Sequence, residues 1–176
     1  MKIFINAGHG GTDPGACSKQ KIKESDIASI IGLMLLNRLK LNGYSAEYFQ
    51  QKESHFEISP KENHSGATCF ISIHCNSFSN EEANGVEVCY CKGSKKGLEL
   101  AQIVQNEIVS ATGLTNRGVK PREDLTVLNR TKAPAILIET AFISNPNDLK
   151  LLVESPEVFA EAIWESIKKF KSRGLI

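Results

Sequence analysis

Short apolar runs alternate with longer amphipathic stretches along the chain, the pattern of an α/β sheet protein. Ile3 to Ala7 is a brief apolar run that stops at GHGGTDPG, a loop whose four glycines and one proline forbid regular structure, so a strand followed by a loop is predicted. From Glu24 to Asn42 the apolar residues Ile27, Ile30, Ile31, Met34, Leu35 and Leu39 recur at spacings of three and four, with Gly43 as a stop, which predicts a helix with a wide buried face. Ala46 to Gln50 reads as a second strand. A polar stretch containing Pro60 and Gly66 then leads to Cys69 to Ile73, a continuous apolar run suited to a strand covered on both faces, which ends at His74. Val86 to Cys91 follows an Asn84-Gly85 turn signal and is rich in β-formers, so a fourth strand is expected there.

Ser94 is placed to cap a helix running through Ala111, with Leu98, Ala101, Val104, Ile108 and Ala111 on one face and Gly113 as its stop. Beyond an irregular basic stretch, Leu125 to Asn129 reads as a short strand, and Ala135 to Glu139 is another short, near-continuous apolar run. Asn145-Pro146 and Ser155-Pro156 each read as the cap and first residue of a helix, the second bearing Phe159, Ile163, Ile167 and Phe170 on one stripe. The charged tail KKFKSRGLI is expected to be a frayed helix end, or the place where a larger protein was cut, with a linker beginning at 171–176.

At 176 residues, with neither an internal repeat nor an interdomain linker, the chain suits a single domain around one core. Its 41% apolar and 23% charged residues support a buried core and exclude a disordered or low-complexity chain. A formal charge of +1 supplies no long-range field for collecting phosphates, which makes nucleic acid a poor candidate partner. Cys17, Cys69, Cys75, Cys89 and Cys91 are odd in number and form no CxxC, so they are expected to be reduced and mostly buried, without a disulfide framework or thiolate cluster. The N-terminal apolar stretch is too short for a signal peptide, and Ile27 to Leu36 is about half of what a membrane-spanning helix needs. A soluble protein made in the cytoplasm without membrane insertion is expected, and work outside the cell would need another export route or a larger parent chain.

Three predicted strands run into residues able to bind metal or move protons: Ile3 to Ala7 into His9, Cys69 to Ile73 into His74, and Ala135 to Ile138 into Glu139. In open, largely parallel sheets the carboxyl ends of strands form the ligand crevice, so these residues are expected to share one cleft. Zinc hydrolases commonly use three protein ligands with a position left for water, and a second carboxylate off the metal moves the proton. Glu139 and a carboxylate in the first turn of the first long helix, Glu24 or Asp26, are the candidates, and spacing alone leaves their roles open.

Other chemistries fit less well. The glycine-rich loop fails both phosphate patterns, since GxGxxG from Gly8 meets Asp13 and no GK[ST] follows. Adjacent residues on a strand point to opposite faces, which separates Cys75 from His74 as a nucleophile-base pair, and no GxSxG elbow exists. His55 and His64 lie in polar stretches and are expected to face solvent, as is the basic cluster Lys92, Lys95 and Lys96.

In order along the chain, INAGHGGTDPGA, KESDIA, FISIHCNS, GVEVCY, RGVK and VLNRTKAPAILIETAFISNP resemble the landmarks of the zinc-dependent N-acetylmuramoyl-L-alanine amidases of the amidase-3 type. The resemblance spans nearly the whole chain. It implies a twisted, mostly parallel sheet of about six strands flanked by helices, with His9, Glu24 and His74 binding one zinc per chain and Glu139 as the catalytic carboxylate. It further implies hydrolysis of the amide between N-acetylmuramic acid and L-alanine in peptidoglycan, by a monomer acting at the bacterial cell wall as a phage lysin or as part of a larger wall protein. A wall-binding module without activity, or a zinc peptidase acting within the stem peptide, would be the alternatives. Two departures stand out: Asn6-Ala7 replaces the family's usual Asp-Pro, so the orientation of His9 is expected to be set differently, and the segment from Gln50 to Gly66 lacks the usual Arg and Ala-Asn, so an altered cleft wall is expected.

Overall fold

In β1 (Lys2–Ala7), Ile3, Ile5 and Ala7 join the larger hydrophobic core while Phe4 and Asn6 point to the opposite side of the sheet, and all five are buried. Both faces of this strand are therefore covered, which is why Ile3, Phe4 and Ile5 are apolar in succession rather than alternating with polar residues. The computed structural model describes residues 1–52 and 58–174. In it β1 is followed by α1 (Glu24–Leu41), β2 (Ser45–Gln50), α2 (Ile58–Ser65), β3 (Cys69–Asn76), β4 (Val86–Cys91), α3 (Lys95–Thr112), β5 (Asn116–Arg122), α4 (Thr126–Asn129), β6 (Ala135–Phe142), α5 (Pro146–Glu154) and α6 (Pro156–Ser172).

The six strands form one sheet in the order β2-β1-β3-β6-β4-β5. Every neighbouring pair is parallel except β4 with β6, which run antiparallel. The α/β architecture with a mostly parallel sheet of six strands is the one expected. One face carries the long helices: Ile27, Ile31, Leu35 and Leu39 of α1, Leu100, Val104 and Ile108 of α3, and Phe159, Ile163, Ile167 and Phe170 of α6 pack on Ile5, Ile71, Ile73, Ile136 and Ile138. Each such side chain stabilises the fold by roughly 1.5–3 kcal/mol on burial. The other face has a smaller cover, Ile58 of α2 with Val127 and Leu128 of α4, over Phe4, Phe70, Cys89 and Leu137. Among the described residues this cover is thin beside the carboxyl ends of β1, β3 and β6.

Several elements differ from expectation. The buried face of α1 is narrower than its apolar face, because Ile30 and Met34 are exposed together with Leu33 and Leu41. On α3 the buried stripe is rotated, with Leu100 and Ile103 inside and Ala111 exposed. Asn116–Arg122 is an edge strand paired parallel to β4 rather than irregular chain, and an edge position tolerates its Gly118 and Pro121. Leu125 to Asn129 makes a single helical turn, α4, instead of a strand, with Leu125 O accepting from Leu128 N and Asn129 N. The polar stretch around Pro60 contains α2, whose first turn accommodates the proline.

Ser94 and Asn145 cap α3 and α5 with their side chains, whereas Ser155 makes no such bond to α6. His64 is exposed, as are Lys92, Lys95 and Lys96, and His55 lies outside the described residues. No helix among the described residues is long and apolar enough to cross a membrane.

Candidate functional site

The site starts where β1 ends. Gly8 N donates to Ile73 O at 2.8 Å, extending the β1–β3 ladder by one residue, and His9 then takes a left-handed φ of 59° that turns the loop away from the sheet. Gly8 has to be glycine for this, because a Cβ there would lie 2.3 Å from Cε1 of His74. Paired main-chain bonds between Gly10 and Asp13 fold the loop back, which brings Asp13 Oδ2 to 2.8 Å from His9 Nδ1. With Nδ1 engaged, Nε2 of His9 faces inward, 3.2 Å from Glu24 Oε1.

Glu24 is the first residue of α1, whose terminal N–H groups at Glu24 and Ser25 donate to Ala16 O and Pro14 O. Its carboxylate is buried and ties three segments together, with Oε2 accepting from Ala16 N at 2.9 Å and Oε1 accepting from Cys75 N at 3.0 Å. Position at a helix N-terminus favours the anion. Burial opposes its ionisation, but hydrogen bonds from His74 and His9 outweigh that and hold the carboxyl well below the usual range. His74 Nδ1 lies 3.0 Å from the same Oε1, and the two imidazoles stand edge to face with ring centroids 5.1 Å apart. The hydrogen bond to Glu24 pushes His9 up to about 9 against the effect of burial, with Asp13 adding to it.

One nitrogen from each of His9 and His74 and an oxygen of Glu24 lie within 4.8 Å of one another. Two imidazoles and an ionised carboxylate, each oriented by further hydrogen bonds, match the donor chemistry of a zinc centre. Asp26, the other first-turn carboxylate considered, is exposed and takes no part in this cluster.

Glu139 is the register partner of His74 across β3 and β6. Both residues lie inside their strands rather than beyond the ends, because β3 continues to Asn76 and β6 to Phe142. The Glu139 Oε2 atom is enclosed and has no hydrogen-bond partner among the described residues. Burial pushes its carboxyl up to about 7, with His74 and His9 opposing and Glu24 and Glu87 adding to the rise. Glu87 faces Glu139 from β4, and its own carboxylate accepts from Nε of Arg117 at 3.0 Å.

Beside the cluster runs a groove of about 250 Å³ lined by His9, Asp13 and His74 on one side and by Ile58, Leu125 and Val127 on the other. Cys75 points to the opposite core, within reach of Thr140 Oγ1, and burial raises its thiol pKa well above the ordinary value. All five cysteines are free, with Cys69, Cys75 and Cys89 buried.

Sequence reasoning missed two supporting groups, Asp13 and Ser72, and assigned a third, Asn6, to the wrong histidine. Asp13 orients His9, and its signal was a carboxylate four residues on in the same loop. Ser72 Oγ lies 3.1 Å from His74 Nε2, and Asn6 Oδ1 accepts from Ser72 Oγ at 2.7 Å. Their signal was a polar residue inside each of two apolar strand runs. Asn6 therefore serves the His74 side of the site rather than His9, because its side chain lies on the face shared with Ser72.

Fold and site together define an α/β domain with a three-donor candidate cation site beside a buried carboxylate, at the carboxyl ends of parallel strands. The family model described as N-acetylmuramoyl-L-alanine amidase matches residues 3–169, and the chain belongs to that family. A relative named as the probable cell wall amidase LytH of Staphylococcus saprophyticus is 30% identical over 174 residues, 97% of this chain and 58% of that protein, so the chain spans little more than half of its length. Among solved structures, the N-acetylmuramoyl-L-alanine amidase AmiC2 of Nostoc punctiforme has a TM-score of 0.90 at 30% identity, covering 98% of this chain and 97% of the other. The N-acetylmuramoyl-L-alanine amidase of Clostridium difficile 630 has a TM-score of 0.88 at 29% identity, covering 97% and 96%.

Proposed function

We propose that residues 1–176 act as the catalytic domain of a zinc-dependent N-acetylmuramoyl-L-alanine amidase that hydrolyses the amide between N-acetylmuramic acid and L-alanine in peptidoglycan. The observation that carries this reading is the convergence of His9 Nε2, Glu24 Oε1 and His74 Nδ1 next to a carboxylate, Glu139, whose enclosed oxygen has no hydrogen-bond partner among the described residues. His9, Glu24 and His74 would hold one zinc. Zinc in such a site supplies Lewis acidity and a water whose pKa falls to about 7.

Glu139 takes the proton of the attacking water and returns it to the departing alanine nitrogen. Burial raises its carboxyl above the ordinary range in the metal-free protein, which favours its taking up a proton. Asp13 holds His9 by Nδ1 and so commits Nε2 to the metal side. The apolar wall of Ile58, Leu125 and Val127 excludes water from one side of the groove while its polar side stays open to an amide. A cell-wall enzyme of this kind works outside the cytoplasm, as a phage lysin or within a larger wall protein.

The test is end-group analysis of purified peptidoglycan digested by the zinc-loaded protein. Free N-terminal L-alanine and a released lactyl carboxylate are expected. New amines inside the stem peptide would replace the reading with a peptidase, and no new ends would leave a wall-binding module.

A further inference from the structure

Asn6 is fully buried on β1, directly across from Ser72 on β3. Its side-chain amide has only one workable orientation. The Nδ2 atom lies 3.2 Å from Ala7 O and 3.3 Å from Phe49 O, two acceptors that require a donor. Turning the amide over would set its oxygen against both carbonyls and leave its NH₂ facing the Ser72 hydroxyl. The Oδ1 atom therefore faces Ser72, and the hydroxyl proton of Ser72 is committed to it at 2.7 Å.

That commitment runs on to the candidate metal ligand. With its proton spent on Asn6, Ser72 Oγ offers only lone pairs to His74 Nε2 at 3.1 Å, so Nε2 must carry a proton. On the other side of the ring Nδ1 faces Glu24 Oε1, which also only accepts, so a metal ion held by Glu24 would take the place of the Nδ1 proton while Nε2 keeps its own. Ser72 is fully buried like Asn6, so water does not compete for either bond. The main-chain carbonyls of Ala7 and Phe49 thus impose a direction that passes through two side chains and ends at the cation site.

We propose that Asn6, acting through Ser72, is a positioning residue that sets which nitrogen of His74 faces the metal. The proposal rests on the reading of His74 as a ligand, and its consequence is that Nε2, tied to Ser72, is the nitrogen kept away from the metal.

Two measurements test it on the full chain. The first is ¹⁵N NMR of the histidine rings in the zinc-loaded protein, where His74 is expected with a metal-bound Nδ1 and a protonated Nε2 in the wild type, and with the two roles mixed or exchanged in Asn6→Leu. A metal-bound Nε2 in the wild type, or an unaltered ring in Asn6→Leu, would overturn the proposal.

The second is zinc affinity by chelator competition in Ser72→Ala, Asn6→Leu, the double variant and Ser72→Thr. Each single loss is expected to weaken zinc about 10–100-fold. The double variant should lose no more than the worse single one, and Ser72→Thr should retain wild-type affinity. Additive losses, or wild-type affinity in both single variants, would overturn the relay. If His74→Ala kept full zinc affinity, the ligand reading would fall on its own, while the ring NMR would still decide what Asn6 does.

Discussion

His74 and Glu139 are register partners on adjacent parallel strands, so the imidazole and the carboxylate leave the same face of the sheet side by side. The next strand places Glu87 opposite Glu139, and the row His74, Glu139, Glu87 crosses three strands at one level. Two-residue alternation along each strand fixes which face every member takes. The loop bearing His9 and the start of α1 bearing Glu24 need only close over the β3 end of that row to complete the site.

Replacing Glu139 by Ala or Gln is expected to leave zinc content at one per chain and to lower turnover by at least about 10²–10⁴-fold, the range over which a positioned general acid-base acts. Metal analysis and rates of wall digestion check this together. Digestion at the wild-type rate would remove Glu139 from the mechanism.

His9→Ala and His74→Ala should each lose zinc, and a strong chelator should abolish wild-type activity until zinc is returned. Elemental analysis of the purified variants reads the first outcome directly. A full zinc complement in both would refute the ligand assignment.

Asp13→Ala removes the carboxylate that holds His9 by Nδ1 and also the acceptor for Gln51 Nε2 and Gly15 N. Zinc affinity is expected to drop about 10–100-fold with the sheet intact. Circular dichroism establishes the fold and chelator competition the affinity, and an unchanged affinity would mean that the loop alone aims His9.

Gly8→Ala should be more disruptive than its size suggests. A Cβ there sits 2.3 Å from the His74 ring, so the ring must swing away from Glu24 or β1 must move. Zinc binding is expected to weaken severely, and wild-type zinc affinity in this variant would contradict the described packing.

The pH dependence of stability follows from the raised carboxyl of Glu139, at about 7 against an ordinary 4.5. Below about pH 4.5 both folded and unfolded chains keep the proton and Glu139 costs nothing. As pH rises through the interval up to about 7 the unfolded chain gives up its proton first, so stability falls, and above it the cost is on the order of 2–4 kcal/mol. In metal-free protein, Glu139→Gln should therefore melt several degrees above the wild type at about pH 8 and close to it at about pH 4. Thermal melts in chelator at the two pH values test the sign, and a difference that ignored pH would show that Glu139 is not held in its protonated form.

Legibility differed from element to element. The apolar runs of β1, β3 and β6 were readable because strands covered on both faces have little solvent side to write polar residues into. The edge strand β5 was not, since Asn116–Arg122 has few apolar positions, a glycine and a proline. The single turn of α4 is too short for a helical period to register. On α1, hydrophobicity alone could not tell that Ile30 and Met34 would remain exposed while Ile27 and Ile31 were covered.

The sequence by itself determined the fold class, the strands that carry the chemistry, and a short list of donors, because local periodicity and residue type are local properties. Residue spacing left Glu24 and Asp26 level as candidates until the family resemblance chose Glu24; it left Asp13 and Ser72 without a role and tied Asn6 to His9 rather than to His74. Those choices belong to the tertiary structure: one turn of α1 buries Glu24 and leaves Asp26 exposed, and strand register aligns Asn6 with Ser72 and His74 with Glu139. Hydrogen bonds between residues 50 or 66 positions apart depend on distances of about 3 Å that are set only when the strands pair and the helix docks.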